Sequence, residues 1–128
     1  MSTALPLLAG FLSFIALDFV WLRLLMYKMY KNEIGSLMKP EVNYAAAALV
    51  YLAAILGIYF FVLPKVSSLS QAALWGALFG GLVYAIYDFT NLAILKNWTL
   101  KISLYDAAWG AMVCAAVSTV MFWVSVKG

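Results

Sequence analysis

Histidine is absent from the 128 residues, and cysteine occurs once, as Cys114. The first absence removes the commonest transition-metal ligand and the side chain that changes charge near neutral pH. One cysteine forms no intrachain disulfide and no zinc or iron–sulfur site by itself; inside an apolar run it reads as a small core side chain. Charge is scarce as well, at 10% of residues against 67% hydrophobic. A soluble domain of this length needs far more polar surface to cover its core, so the apolar surplus has to face lipid. No cofactor, metal site or nucleic-acid partner is expected.

What is present is length in the apolar runs. A bilayer core about 30 Å thick takes roughly 20 helical residues to cross. Four segments reach that length, at residues 5–26, 44–63, 72–95 and 104–126. They predict one all-α domain, an integral membrane four-helix bundle. The Pro64–Ser68 and Lys96–Thr99 connections are short and force neighbouring helices to run antiparallel; Lys39-Pro40-Glu41 precedes the second span. The first span lacks a basic leader and contains Asp18, so it reads as a retained helix rather than a cleaved signal. Residues 27–39 place Tyr27, Tyr30, Ile34, Leu37 and Met38 at helical spacing with Lys28, Lys31, Asn32 and Glu33 between them. That pattern predicts an amphipathic extension at the interface, its tyrosines at headgroup level and its lysines reaching outward.

Basic residues orient the chain. Arg23, Lys28, Lys31, Lys39, Lys96 and Lys101 fall on one side, Lys65 and Lys127 on the other. The positive-inside tendency then puts the first and third connections in the cytoplasm and both termini in the periplasm. A reporter active only in the cytoplasm is expected to be silent when fused after Gly128; a fully active fusion would reverse the orientation.

Only five acidic residues exist, and three lie inside predicted spans: Asp18, Asp88 and Asp106. An aspartate at a membrane helix centre costs about 2.5–3.5 kcal/mol on insertion scales. Counted from the helix ends at about 1.5 Å per residue, Asp18 and Asp88 lie about 12 and about 10 Å deep and Asp106 about 3 Å, in the first turn of its helix. The shared level lets antiparallel helices bring the three together. Gly76, Gly80, Tyr84, Asp88 and Asn91 form one stripe, and the Gly76–Gly80 spacing marks a close helix contact. Phe11, Phe14, Asp18, Trp21 and Leu25 share a face of the first span; Asp106, Trp109 and Val113 share one of the last. The expected site is a carboxylate pocket walled by Trp21, Tyr87 and Trp109, with Asn91, Thr90, Tyr84 and Asn43 as polar partners and Arg23 and Lys101 as charge partners. Asp88 ranks first among the candidates.

A short repeat runs through the chain: Leu17-Asp18-Phe19-Val20-Trp21-Leu22 matches Tyr87-Asp88-Phe89-Thr90-Asn91-Leu92, with Gly10 and Gly80 at one offset before the aspartates. It is compatible with parallel two-helix halves. The Tyr87–Leu92 run, Lys101 and Asp106-Ala107-Ala108-Trp109-Gly110 together resemble the signature of a small bacterial inner-membrane family catalogued as a domain of unknown function. The resemblance covers nearly the whole chain. It implies four helices and a bacterial source, and it carries no activity. Relatives in that family are often encoded near lipid-modifying enzymes, which the resemblance offers as an association. Small multidrug resistance transporters share four short helices and a membrane-embedded acid; their characteristic residues are not found around Asp18, so this is architectural analogy.

A purely structural role, in which the aspartates hydrogen-bond across helices and pair with Arg23, Lys96 or Lys101 to fix the packing, competes with three functions. Binding or translocation of an amphiphilic or cationic small molecule at a cytoplasm-facing aspartate pocket ranks first, since a membrane carboxylate attracts cations and aromatic walls suit organic ones. A non-catalytic partner of a lipid-modifying enzyme ranks second. An aspartate- and Mg²⁺-dependent membrane enzyme ranks third, and catalysis is the less expected outcome. Membrane lipids are the expected surroundings, and small-residue faces allow a homodimer.

Overall fold

A computed structural model describes residues 3–38, 41 and 43–127. Lys39, Pro40 and Gly128, on which parts of the sequence reading rest, lie outside the described residues. The regular structure of the described residues is all helical, and four stretches are long and apolar enough to cross a membrane: Ala4–Leu25, Tyr44–Lys65, Leu69–Ile94 and Leu100–Lys127. The first consists of α1 (Ala4–Phe19) and a π-helical turn (Val20–Leu25). A short helix, α2 (Tyr27–Ile34), follows. The second span is α3 (Tyr44–Gly57), continued by its own π turn (Ile58–Val62); the last two are α4 (Leu69–Ile94) and α5 (Leu100–Lys127).

Helix starts follow local capping chemistry. Asn43 caps α3 by accepting the Ala46 N–H at 3.1 Å, and Ser68 caps α4 by accepting the Gln71 N–H at 3.2 Å. Asn43 is thus spent on the helix end rather than on a carboxylate. Thr99 accepts the Ile102 N–H at 3.1 Å, so α5 begins at Leu100, four residues before the sequence-based boundary of 104. With this earlier start Asp106 changes its place in the helix. It stands in the second turn of α5, roughly 9 Å from the helix start at 1.5 Å per residue, and not in the first turn where the helix dipole would favour it. The tight α4–α5 link turns at Asn97, whose φ of 66° falls in the left-handed region that asparagine tolerates.

Helix α5 is the hub. In it 39% of the apolar stretch is buried inside the protein, against 22% or less in the other spans. Its tightest seam is with α4. A Cβ placed on Gly76 would strike Ser118 and the Cys114 carbonyl, one on Gly80 would strike the Gly110 carbonyl and Cys114, and one on Gly110 would strike the Tyr84 ring. Gly76, Gly80, Tyr84 and Asp88 therefore face Ser118, Cys114, Gly110 and Asp106 in an antiparallel ladder, one helical turn per rung. Helix α1 packs on another side of α5, where Gly10 receives the Met121 side chain. Helix α3 lies at the periphery, against α1, and much of its first half is exposed.

Candidate functional site

Three aspartates reach the same end of the bundle from three helices. Asp18 on α1 meets Trp109 on α5: the indole Nε1–H donates to Asp18 Oδ1 at 2.9 Å. From the other side Tyr51 on α3 donates its hydroxyl to Asp18 Oδ2 at 2.6 Å. Asp106 on α5 accepts the Tyr30 hydroxyl of α2 at 2.8 Å, and Tyr30 in turn accepts the Trp21 Nε1–H at 3.1 Å. The two halves of this network join where Trp21 and Trp109 stack, ring centroids 4.5 Å apart and planes within 5°. Such stacks add about 0.5–1.5 kcal/mol beyond burial.

The π turn after Phe19 makes this stack possible. A bond from the Met26 N–H to the Trp21 carbonyl, 2.8 Å long, spans five residues instead of four. The extra residue rotates the end of the span, a distortion frequent at functional positions. Trp21 turns inward to 9% exposure, while Leu25, expected on the same face, turns outward to 64%.

Asp88 differs from its companions. Its side chain is fully buried in the α4–α5 seam, and no donor among the described residues reaches either oxygen. Its backbone carbonyl accepts the Ser103 hydroxyl at 3.3 Å, which fixes the register of the seam at this level. Its side-chain neighbour is the Asp106 carboxyl. Gly110 removes the Cβ that would displace Tyr84, so the Tyr84 ring sits one turn away on the same seam.

Not every candidate joins the network. Tyr87 is 56% exposed and packs edge-on against Trp98, at 5.9 Å and 87°. Asn91 and Thr90 donate no hydrogen bond to the three carboxylates among the described residues. Neither Arg23 nor Lys101 forms an ion pair with an aspartate there; the groups holding Asp18 and Asp106 are tyrosine hydroxyls and an indole N–H. Nor do three acidic or cysteine side chains converge as a metal cage would, among the described residues.

Two contributors escaped the sequence reading. Tyr30, expected at headgroup level, is buried, and burial together with the neighbouring Asp106 carboxyl pushes its phenol up, keeping it a donor. Tyr51 carries a hydroxyl in the middle of the otherwise apolar α3, and that isolation is the signal that could have marked it.

Beside Asp18 a groove of about 420 Å³ opens between α1 and α3. Phe11, Ile15, Phe19 and Leu22 form one wall, and Tyr44, Ala47, Ala48 and Tyr51 form the other. Asp18 and Arg23 are its only charged lining groups among the described residues. The rim residues Phe19 and Tyr44 are 57% and 74% exposed, so the groove opens sideways to lipid. Asp88 and Asp106 do not line it.

A family model described as "Predicted membrane protein (DUF2177)" matches residues 3–123. No curated protein and no solved structure matches the chain.

Proposed function

The chain belongs to this family of predicted membrane proteins, and on that premise we propose that it binds an amphiphile with a cationic headgroup in the α1–α3 groove, in a bacterial inner membrane. The observation that carries the reading is Asp18 itself: a carboxylate at the wall of an apolar, lipid-accessible groove, with no lysine or arginine paired to it among the described residues. A carboxylate offers about four acceptor sites. Trp109 and Tyr51 take one each and fix its orientation, which leaves acceptor capacity for an ammonium. The apolar wall supplies the rest of the affinity, at about 0.8 kcal/mol per buried CH₂. Phe11, Tyr44 and Tyr51 add aromatic faces suited to an organic cation.

Arg23, about 7.5 Å along the helix from Asp18 at 1.5 Å per residue, lines the same groove. Sequence position favours Asp88 for ligand contact; its complete burial in the α4–α5 seam gives that role to Asp18 instead.

Headgroup selectivity tests the reading. Long-chain amphiphiles with one tail and a quaternary ammonium, neutral or sulfate head are added to purified protein in neutral detergent, and unfolding temperature is followed. The ammonium compound is expected to raise it in a saturable way and the neutral and sulfate compounds to raise it far less. Equal stabilisation by all three would mean that only the tail is bound, and the carboxylate would lose its role.

A further inference from the structure

We propose that Asp88 and Asp106 form a proton-binding site: their carboxyls, facing each other across the α4–α5 seam, hold one proton between them. The site is separate from the groove, which neither residue lines, and does not depend on the amphiphile reading.

The register demands the encounter. Gly76, Gly80 and Tyr84 each meet their counterpart on α5 one turn apart, and the next rung is Asp88 against Asp106. The Ser103 hydroxyl on the Asp88 carbonyl pins the two helices at that level.

Charge then decides the protonation state. Asp88 is wholly buried, with no donor on either oxygen among the described residues. A buried polar group without a partner is costly, and a second carboxylate set beside a wholly buried one is costlier still. Carboxylates are acceptors only, so they hydrogen-bond to each other only when one carries a proton. With one proton, the O–H of one carboxyl donates to the carboxylate of the other. The pair bears a single negative charge, and Asp88 gains the partner it otherwise lacks. Proton uptake joins a water-borne proton to one oxygen of the pair; release returns it and leaves two anions face to face.

The other ionisable groups around the pair do not replace that proton. From α1, Asp18 adds negative charge across the stacked indoles. From α2, Tyr30 donates to Asp106 Oδ1, and Glu33, one turn on, is engaged by the Thr99 hydroxyl at 2.8 Å. From α3, the Tyr51 hydroxyl is used by Asp18. On α4, Tyr84 and Tyr87 flank Asp88; on α5, Cys114 lies two turns beyond Asp106 and Lys101 is exposed.

Infrared spectroscopy of the purified protein at neutral pH, with and without ¹³C-labelled aspartate, tests this. The parent is expected to show a protonated-carboxyl carbonyl band that shifts on labelling. Asp88→Asn and Asp106→Asn are each expected to abolish it, because the asparagine amide N–H then donates to the remaining carboxylate and no proton is needed. The Asp106→Asn side chain keeps an oxygen for Tyr30, so both variants retain their contacts. Asp18→Asn is expected to leave the band in place. A parent without the band overturns the proposal, whatever the variants do. A band that survives either Asn substitution in the pair shows a lone protonated aspartate and overturns the sharing. Loss of the band in Asp18→Asn alone places the proton at Asp18 instead, and overturns the proposal as well.

Discussion

Gly80→Leu is expected to destabilise the bundle severely, by about 3 kcal/mol or more, at the upper end of the usual cost of overpacking. Gly81→Leu is expected to change stability by less than about 1 kcal/mol, within the range of substitutions that touch no packed contact. The two glycines are neighbours in sequence and differ only in where they point. A Cβ on Gly80 would meet the Gly110 carbonyl oxygen and the Cys114 side chain. Backbone cannot rotate away as a side chain can, so α4 and α5 would have to separate along the whole seam. A Cβ on Gly81 meets only the Ala111 methyl, at 3.5 Å, an ordinary contact. Thermal unfolding of the two purified variants in one detergent measures the difference. Equal loss would mean that the close-packed ladder does not hold the helices together. It would also remove the constraint that brings Asp88 against Asp106.

Parts of this architecture were legible in the sequence because membranes impose simple rules. Apolar length gave the four spans, and the Gly76–Gly80 spacing gave the face of α4 that packs closely. The meeting of the aspartates at one end of the bundle was legible too, although Asp106 stands further into its helix than the apolar boundary suggested. Apolarity marks where lipid begins, whereas the helix begins where Thr99 caps it. The matching stripe on α5, Asp106-Gly110-Cys114-Ser118, has the same four-residue spacing and was hidden by chemical variety: an acid, a glycine, a thiol and a hydroxyl share no hydropathy signal. Tyr30 and Tyr51 were obscured for another reason. A tyrosine near a membrane surface usually anchors in the headgroup layer, which hid the inward turn of Tyr30 to Asp106, while Tyr51, in the middle of α3, carried a signal only in its isolated hydroxyl. The π turn at Val20–Leu25 leaves no sequence mark at all, yet it decides that Trp21 reaches Trp109 while Leu25 does not.

Asp18→Asn is expected to leave the fold intact and weaken binding of the ammonium amphiphile at least tenfold, a loss of about 1.4 kcal/mol. The fold survives because asparagine can reproduce both contacts. Its oxygen accepts the Trp109 Nε1–H, and its amide N–H donates to the Tyr51 hydroxyl oxygen, which accepts as readily as it donates. What disappears is the negative charge at the groove wall. Removing one partner of a desolvated charge pair costs about 2–5 kcal/mol; the partial exposure of Asp18 to the groove puts the expected loss toward or below the low end of that range. Binding of a neutral amphiphile with the same tail should hardly change, since the apolar wall of Phe11, Ile15 and Leu22 is untouched. The most direct measurement of the account is therefore the dissociation constant of the ammonium amphiphile and of its neutral analogue, by calorimetric titration into parent and Asp18→Asn protein. Groove binding at Asp18 predicts a clear preference for the ammonium head in the parent and its near disappearance in the variant. An undiminished preference in the variant would contradict it.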